Sequence, residues 1–390
     1  MRMRYAKKNE KEIAIKNWKN NFKDSEEQIE FYFNNIFDYK NYLVLEKDNK
    51  IVSSLHENPY ILKFNNKEIK TKYIVGVATP PEEQGKGYMR HLIIEMLKKS
   101  KKDNFPLVFL SAINPAIYRK YGFEYFSKIE TFEFEIDELK DLEFEKEIDI
   151  FEVNFENKNK FLEDLIYIYN KNMKIKLSYL VRDKSYFNKL LLECFNEEMK
   201  IFISYKNKYP QSYIIFGKYD NQIEVREIFS LDFKSYKNIM KILYSYRDYY
   251  NKVKLNSEAN SNIEYIFKNQ LKIKKSESPF MMMRILKPLD ILNFTNIKIK
   301  KLKILIVDEI IKNNTGLYSF NGKEWEHLTI SENYDFKINI ADLVQLLTGF
   351  FNFDEMLFMR KIELKKDTKI ENKKLREVFK NKQNYLYEFQ

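Results

Sequence analysis

Cysteine, histidine, glycine and proline are all scarce in this sequence of 390 residues. The single cysteine, Cys194, excludes an internal disulfide and a zinc site built on cysteines, and the three histidines lie too far apart for a metal-ligand spacing. Glycine and proline number eight each, while apolar residues make up 44% of the chain, a composition that excludes a disordered protein. The sequence therefore predicts a packed protein without a metal.

A long apolar run is also missing. The longest candidate, residues 343–353, is bracketed by Asp342 and Asp354 and falls short of the roughly 18 residues that a membrane-spanning helix needs. The basic amino terminus leads into polar residues and not into the apolar core of a secretory signal. We therefore expect a cytoplasmic protein that does not span a membrane.

Basic residues outnumber acidic ones, 68 against 57, and give a net charge of +11. A basic surface of this kind is one mark of nucleic-acid binding. The lysines, however, are spread through the whole chain beside Asn, Glu or Asp, and their densest clusters are residues 98–102 and 298–303. This distribution favours a solvated surface, with nucleic-acid binding as the alternative.

The length of 390 residues predicts more than one domain, since a domain averages roughly 150 residues. Residues 1–140 alternate in the order β-α-α-β-β-β-α-β-α-β, which predicts an α/β domain with helices on both faces of a mixed sheet. Residues 141–283 repeat this order more faintly and lack the glycine cluster of the first domain. Residues 284–390 predict a smaller α+β domain.

Three local signals predict element boundaries in the first domain. Ser25 and Gln28 fit a capping box, which predicts the start of a helix. The pair Asp48-Asn49 is typical of a hairpin tip. Pro59 predicts a break in the strand that follows the hairpin, because proline cannot donate to a ladder.

Three of the eight glycines, Gly76, Gly85 and Gly87, cluster between a strand rich in β-branched residues and a helix. Prolines at positions 80 and 81 end the strand, and the glycines allow the backbone to turn tightly. The sequence thus predicts a tight loop that leads directly into a helix.

This loop leaves the start of the helix without a side-chain cap. No Ser, Thr, Asp or Asn occurs at residues 82–88, while Lys86 and Arg90 add positive charge. Unpaired first-turn N–H groups and the helix dipole together favour an anion. The loop is therefore either a phosphate-binding loop or an ordinary strand-to-helix turn, and it matches neither a Walker loop nor a dinucleotide-binding motif.

Residues 75–89 read VGVATPPEEQGKGYM and resemble the acyl-CoA signature of the GNAT acetyltransferases, Gln/Arg-x-x-Gly-x-Gly/Ala. Gln84 takes the first position of the signature and Gly87 is its core glycine, while Met89 stands where a small residue is usual. Together with residues 117–123, which read IYRKYGF, the segment is similar to the enhanced intracellular survival (Eis) family, whose members tolerate a larger residue there.

The resemblance covers the whole chain and implies a fold class of α/β and α+β. It makes residues 1–140 a catalytic GNAT domain that binds acetyl-CoA, residues 141–283 a degenerate GNAT-like domain, and residues 284–390 a domain like sterol carrier protein type 2. The runs FMMMRIL at residues 280–286 and DLVQLLTG at residues 342–349 match the join and the helix of the third domain. The third domain is then a scaffold whose tail docks into the active site, with lipid binding as an alternative.

The activity implied by the resemblance is N-acetyl transfer from acetyl-CoA to a primary amine, by direct attack and without a metal. Aminoglycosides, polyamines and lysine side chains are the candidate acceptors. The pyrophosphate of the co-substrate is expected on the loop amides, and its pantetheine is expected beside the preceding strand. The implied acetyl-CoA-binding residues are Val77, Thr79, Gln84, Gly85, Lys86, Gly87, Tyr88, Met89 and Asn114.

The resemblance assigns Tyr118 as the acid that protonates the leaving thiolate. Asn114 and Pro115 are typical of a helix start and Gly122 of a helix end, so Tyr118 is expected on a short helix. A phenol is neutral at pH 7 and can donate to a developing anion. A role in packing is the alternative, since Tyr118 is one of 28 tyrosines.

The expected base is the terminal carboxylate, here on Gln390. Three aromatic residues within residues 385–390 predict a docked tail, and a half-buried carboxylate has the raised proton affinity that a base needs. Glu82, His91 and Glu124 lie near the loop or the short helix in sequence and are alternative bases.

A protein that binds acyl-CoA or serves as a scaffold without turnover is the alternative function. The retained glycine loop favours the enzyme over it. The family usually assembles as a hexamer, so we expect a homo-oligomer. Acidic side chains that could attract a cationic acceptor are Glu26, Glu27, Glu30 and Asp38.

Overall fold

The computed structural model describes residues 1–142, 147–365 and 371–388. These residues form two compact units. The first unit comprises Met1–Ser127, Leu177–Val181 and the described residues from Pro279 onward, and the second comprises the described residues of Lys128–Lys176 and Arg182–Ser278. The domain boundaries predicted at residues 140 and 283 stay predictions.

Strands and helices alternate along much of the chain. Up to residue 127 the elements are β1 (Arg2–Tyr5), α1 (Lys11–Asn21), α2 (Glu26–Asn35), β2 (Tyr42–Lys47), β3 (Lys50–Phe64), β4 (Lys67–Ala78), α3 (Tyr88–Lys102), β5 (Leu107–Ser111), α4 (Pro115–Arg119) and β6 (Glu124–Tyr125). From residue 128 to residue 279 they are β7 (Lys128–Glu135), β8 (Ile148–Val153), α5 (Lys158–Met173), β9 (Ser178–Leu180), α6 (Lys184–Asn196), β10 (Lys200–Lys206), β11 (Tyr209–Tyr219), β12 (Gln222–Ser230), α7 (Phe233–Tyr244), β13 (Lys252–Glu258) and β14 (Lys274–Pro279). The remaining elements are β15 (Met281–Ile285), α8 (Pro288–Asn293), β16 (Leu302–Val307), β17 (Gly316–Phe320), β18 (Trp325–Leu328), β19 (Phe336–Asn339), α9 (Ile340–Thr348), α10 (Phe353–Phe358), β20 (Ile362–Leu364), α11 (Asn372–Val378) and β21 (Asn384–Tyr385).

The large sheet of the first unit has the order β1-β2-β3-β4-β5-β15-β6. Strands β1 to β4 pair antiparallel with their neighbours, whereas β4 and β5 run parallel. Two short strands extend this sheet beside β3, because β9 pairs with β3 and β21 pairs in parallel with β9. The parallel pair β4 and β5 therefore lies in the middle of a mixed sheet.

Helices cover both faces of this sheet, as the sequence predicts. Trp18 of α1 and Phe33 of α2 are buried against one face, in a core that also holds Phe109 of β5. On the other face, α3 buries Leu92 and Met96 against β2, β3 and β5. The core on the α1 and α2 face continues without a break into the carboxyl-terminal region.

The predicted capping box and hairpin tip are both confirmed. The backbone N–H of Gln28 donates to Ser25 Oγ at 3.2 Å, and the backbone N–H of Ser25 donates to Gln28 Oε1 at 3.0 Å. Asp48 and Asn49 have φ of 49° and 60°, the left-handed pair that a two-residue turn between β2 and β3 requires.

The predicted strand break at Pro59 is wrong, because β3 runs through this proline and pairs it with Lys72 of β4. The reason lies on the other edge of β3. Pro59 falls between the residues that pair with β2 and those that pair with β9, where the structure describes no ladder partner on that edge. Such an open edge is where a strand tolerates a proline.

The second unit contains a seven-stranded sheet in the order β14-β7-β13-β12-β11-β10-β8. Its strands β12 and β13 are again parallel and are linked by a helix, α7. The core of this unit gathers apolar residues from the sheet and from α7, among them Phe216, Val225, Ile239 and Leu243. The faint repeat read from the sequence thus corresponds to a second sheet with the same strand-helix-strand connection.

The carboxyl-terminal region adds a five-stranded sheet in the order β18-β17-β16-β19-β20. Helix α9 contacts β16 and β19 of this sheet and also β15 and β6 of the large sheet. Its residues Leu343, Val344, Leu346 and Leu347 are buried in the shared core. The carboxyl-terminal region and the first sheet are therefore joined by apolar packing within the first unit.

Candidate active site

Strands β4 and β5 diverge from a single point of contact. Tyr73 pairs with Phe109, and their rings stack with centroids 4.9 Å apart and an interplanar angle of 8°. Tyr60 of β3 meets both rings edge-on, at 6.0 Å and 5.9 Å. Beyond this aromatic cluster the ends of the two strands lead into the glycine loop and into α4, so the predicted site residues gather at one edge of the sheet.

Gly76 forms a β-bulge in β4 before the loop begins. Ser54 pairs with Ala78 and His56 pairs with Val75, so two residues of β4 lie opposite one residue of β3. Gly76 has φ of 60°, and a Cβ there would lie 2.5 Å from Trp18 Cζ3. The glycine cluster of the sequence therefore has two causes, a bulge packed against Trp18 and a separate loop.

Gly85 and Gly87 shape the loop itself. They have φ of 76° and 80°, and a Cβ at either position would meet no atom of the described residues within 4 Å. Gly87 is the N-cap of α3, and no side chain caps the helix there. The first-turn N–H groups of α3 therefore have no side-chain acceptor at the N-cap, which is the arrangement that suits an anion.

The other loop residues surround this opening. Lys86 is exposed and pairs with Glu83 at 2.8 Å, while Gln84 Nε2 donates to the carbonyl oxygen of Thr79 at 3.2 Å. Thr79 in turn shares a hydrogen bond of 3.0 Å with Ser53. Val77 and Met89 are half-buried and Tyr88 is buried, all packed toward the α3 core.

Helix α7 of the second unit, which corresponds to α3, is capped by the side chain of its own N-cap residue, Asp232. Asp232 Oδ1 accepts from the backbone N–H of Ser235 at 2.8 Å, and Asp232 Oδ2 accepts from Ser235 Oγ at 2.9 Å. Strands β12 and β13 also stay paired over four residues, from Gln222 with Lys252 to Val225 with Leu255. A carboxylate therefore caps the start of α7, whereas the start of α3 has no side-chain cap.

Tyr118 lies on α4, as the sequence predicts. Asn114 Oδ1 accepts from the backbone N–H of Ala116 at 3.0 Å, Pro115 begins the helix, and Gly122 follows its end with φ of 82°. The Tyr118 ring packs edge-on against Phe123 at 5.9 Å. Burial raises the pKa of Tyr118 to about 12, so its phenol is protonated at neutral pH.

The predicted tail residues dock up to residue 388. Asn384 pairs with Ser178 of β9, and Tyr385 stacks on Tyr387 at 4.4 Å. Glu388 accepts a hydrogen bond from the Tyr60 hydroxyl, and its backbone carbonyl accepts one of 3.5 Å from the Tyr73 hydroxyl. The tail therefore reaches the aromatic cluster where β4 and β5 meet, whereas Gln390 lies outside the described residues.

The alternative bases occupy different environments. Glu124 is buried and pairs with Arg119 at 3.1 Å. Glu82 is exposed in the loop, and His91 is half-buried on α3.

The acidic candidates for attracting an acceptor lie on α2 and just after its end. Glu26, Glu27 and Glu30 are exposed on α2, whose buried side consists of apolar and aromatic residues. Hydrogen bonds from its own backbone and from Ser25 lower the pKa of Glu27. Asp38 uses its carboxylate to accept from the backbone N–H of Lys40 at 2.9 Å.

A buried polar cluster beneath α1 and α2 was not predicted from the sequence. His56 of β3 bonds through Nδ1 to the Tyr32 hydroxyl and through Nε2 to the backbone oxygen of Asp38 at 3.2 Å. Beside it, the Tyr42 hydroxyl donates to Ser54 Oγ at 2.7 Å. The signal was available in the run Ser53-Ser54-Leu55-His56-Glu57-Asn58, which places polar residues on both faces of a strand.

Two kinds of feature are absent from the described residues. No group of three or more His, Cys, Asp or Glu side chains among them could hold a metal ion. None of their helices is long and apolar enough to cross a membrane.

Comparison with known families matches three segments of the chain. Residues 2–126 match an acetyltransferase (GNAT) domain, residues 178–285 match a further acetyltransferase (GNAT) domain, and residues 287–387 match a sterol carrier protein domain. The chain carries two GNAT acetyltransferase domains and a sterol carrier protein domain. These domains make it an acyltransferase and confirm the predicted fold class.

Solved structures share the fold of this GNAT acyltransferase over nearly its whole length. A GCN5-related N-acetyltransferase from Anabaena variabilis is 18% identical, with 98% of each chain covered and a TM-score of 0.82. A conserved protein from Enterococcus faecalis, described as a probable N-acyltransferase, is 16% identical, with 99% of each chain covered and a TM-score of 0.84. Eis1 from Mycobacterium abscessus is 11% identical, with 99% of each chain covered and a TM-score of 0.77. No curated protein sequence matches the chain.

The buried His56 makes the stability of this acyltransferase depend on pH. Burial lowers the pKa of His56 to about 4 in the folded protein, whereas an unfolded histidine titrates near 6.5. As the pH falls below about 6.5, the unfolded state therefore takes up a proton that the folded state does not, and the free energy of unfolding falls. Between pH 7 and pH 5 we expect His56 to account for a loss of about 2 kcal/mol.

Urea unfolding at the two pH values measures this contribution. His56→Gln should show a smaller loss of stability between pH 7 and pH 5 than the unmodified chain. His91→Gln is the matched control, because His91 is only half-buried. Equal losses in the unmodified chain and in His56→Gln would contradict the prediction.

Proposed function

We propose that the chain transfers an acetyl group from acetyl-CoA to a primary amine by direct attack of the amine on the thioester. The observation that carries this proposal is the uncapped start of α3 at the point where β4 and β5 diverge. The second GNAT domain, with Asp232 at the start of its helix, lacks this feature. The first domain is therefore the proposed catalytic domain and the second is a degenerate copy.

The loop fits the pyrophosphate of acetyl-CoA, which GNAT acetyltransferases use. In this proposal the N–H groups from Gly85 to Met89 bind the phosphates, because no side chain caps the start of α3 and the positive end of the helix lies there. Lys86 adds a positive charge at the rim. The ends of β4 and β5 are not paired with each other, so Val77 and Thr79 can pair with the pantetheine as a strand would.

Tyr118 is the proposed general acid. When the amine nitrogen bonds to the thioester carbon, the C–S bond breaks and the sulfur leaves with the electron pair. Tyr118 Oη then gives its proton to this thiolate, while a base takes a proton from the nitrogen. The raised pKa of Tyr118 keeps the phenol protonated until the thiolate develops.

Gln390 is the proposed base, through its terminal carboxylate. The support is the route of the tail, which brings Glu388 against Tyr60 and Tyr73 beside the divergence of the strands. A carboxylate beside aromatic side chains has a raised affinity for a proton, which suits a base.

Other parts of the proposal rest on the resemblance alone. They are the cationic amine as acceptor, the hexameric assembly, the cytoplasmic location and the domain boundaries at residues 140 and 283. Static light scattering tests the assembly directly. A panel of aminoglycosides, polyamines and lysine peptides tests the acceptor.

Gly87→Asp tests the anion site. It places a carboxylate at the N-cap of α3, and this negative charge would compete with a phosphate for the positive helix end and repel it. We expect the affinity for acetyl-CoA, measured by calorimetry, to fall at least about tenfold, or about 1.4 kcal/mol. Gly87→Asn is the matched control, since Asn also tolerates a positive φ but carries no charge. Equal affinity in Gly87→Asp and the unmodified chain would contradict the site.

Tyr118→Phe tests the acid and the reaction together. Removing the hydroxyl should lower kcat for thiol release by about a hundredfold or more, while the Kd of acetyl-CoA changes little. Tyr121→Phe is the matched control, because it makes the same change just after the end of α4. If the unmodified chain binds acetyl-CoA and releases no thiol with any amine of the panel, the alternative of a non-catalytic acyl-CoA-binding protein is favoured.

An extension beyond Gln390 tests the base. Adding a short Gly-Ser segment moves the terminal carboxylate away and should lower kcat by about a hundredfold, again with little change in acetyl-CoA affinity. The same segment added before Met1 serves as the control. Full activity of the extended chain would remove Gln390 from the mechanism.

A further inference from the structure

A fully buried ion pair lies behind α4 and links two parts of the first unit. Arg284 of β15 donates through Nη2 to both carboxylate oxygens of Asp308, at 2.7 Å and 2.8 Å, and neither side chain is exposed. Arg284 Nη1 also donates to the carbonyl oxygen of Ile285 at 2.9 Å. The guanidinium is thus held in one orientation by three hydrogen bonds.

Asp308 is itself held in place by the sterol carrier domain. Its carboxylate accepts from the backbone N–H groups of Ile310 and Ile311, at 3.1 Å and 2.9 Å. It also accepts from Asn314 Nδ2 at 2.8 Å. A carboxylate with this many donors has little freedom to turn, so it fixes the guanidinium in turn.

The guanidinium lies directly against the backbone that ends α4. A Cβ at Gly122 would lie 2.9 Å from Arg284 Cζ and 3.0 Å from Arg284 Nε, closer than real side chains approach. Gly122 follows Tyr118 by four residues, and the turn between them is closed by hydrogen bonds from Tyr121 N–H to Tyr118 O and from Gly122 N–H to Arg119 O, both 2.9 Å. A displacement of the guanidinium is therefore passed to the turn that carries Tyr118.

We propose that Arg284 is a positioning residue for Tyr118, acting through its contact with Gly122, and that Asp308 is the contribution of the sterol carrier domain to this arrangement. The inference rests on the proposed role of Tyr118 as the acid. Two considerations support it. A buried ion pair gives little stability compared with apolar packing of the same volume, so the pair is better explained by the geometry that it imposes. An acid must also stay within hydrogen-bond reach of the atom that it protonates, and a shift of about 1 Å can cost a hundredfold in rate.

Gly122→Ala tests the contact directly. The added methyl group must displace the guanidinium or the α4 turn, so we expect kcat to fall by about tenfold to a hundredfold while the Kd of acetyl-CoA stays within about twofold. Gly322→Ala is the matched control, because Gly322 also has a positive φ, 100°, and a close contact at 3.2 Å, but lies in the turn between β17 and β18. This control should leave kcat unchanged.

Arg284→Lys provides a second variant in case Gly122→Ala does not fold. Lysine keeps the positive charge opposite Asp308 but lacks the planar guanidinium, which makes three hydrogen bonds and contacts Gly122. The expected result is again a lower kcat with an unchanged Kd for acetyl-CoA. Circular dichroism verifies that each variant is folded.

Combination with Tyr118→Phe separates positioning from general damage. If Arg284 and Gly122 act through the phenol, each variant lowers kcat in the unmodified chain and has no further effect when Tyr118→Phe is present. Full additivity in this cycle, or an unchanged kcat in both single variants, would overturn the inference. An unmodified chain that releases no thiol would instead contradict the proposed function. A fully active Tyr118→Phe would leave the proposed function intact but remove Tyr118 as the acid, and with it the basis of this inference.

Discussion

Unpaired backbone N–H groups at the start of α3 are the constraint on which the rest of the first domain depends. A helix start without a cap carries donors and a partial positive charge that only a ligand or water can satisfy. To keep that start open, the chain places glycines with positive φ at positions 85 and 87 and lets β4 and β5 meet at one residue pair. The second unit differs on both points, since Asp232 accepts from the backbone N–H of Ser235 at the start of α7, and strands β12 and β13 stay paired. One loop therefore distinguishes a copy of the fold whose helix start is uncapped from a copy whose helix start is capped.

The divergence of β4 and β5 interrupts a sheet that must still be rigid. Buried polar contacts connect this sheet to the helices on both of its faces. On one face His56 and Tyr32 connect β3 to α2, and on the other Glu57 pairs with Lys72 at 2.9 Å beneath α3. Each of these groups is costly to bury alone and acceptable only because its partner is fixed. The sheet is thus held by directional contacts around the place where its own ladder is open.

Sequence reasoning predicted what local chemistry determines. The capping box at Ser25, the hairpin tip at Asp48 and the helix carrying Tyr118 all depend on residues within a few positions of each other, and all were confirmed. Pro59 was misjudged because its tolerance depends on which strands lie beside β3, which only the fold reveals.

Contacts between distant segments could not be predicted from the sequence, for the same reason. Gly76 was grouped with the loop glycines, although its role depends on Trp18 of α1. Nothing local indicates that Ser178, from a strand between the two parts of the second unit, would pair with Asn384. The ion pair of Arg284 and Asp308 likewise joins two residues that are 24 positions apart in the chain.

The carboxyl-terminal domain contacts the large sheet of the first unit on both of its faces. On the α1 and α2 face, the tail joins the sheet through β9, and Asn384 fixes it by bonding to Ser178 Oγ at 2.7 Å and to the carbonyl oxygen of Thr348 at 2.9 Å. On the α3 face, Asp308 holds Arg284 against Gly122. The apolar side chains of its own sheet are meanwhile packed into the core that continues from the catalytic sheet. Because its apolar face is packed in this way, the domain is tied both to the tail, through Asn384, and to the backbone that ends α4, through Asp308 and Arg284.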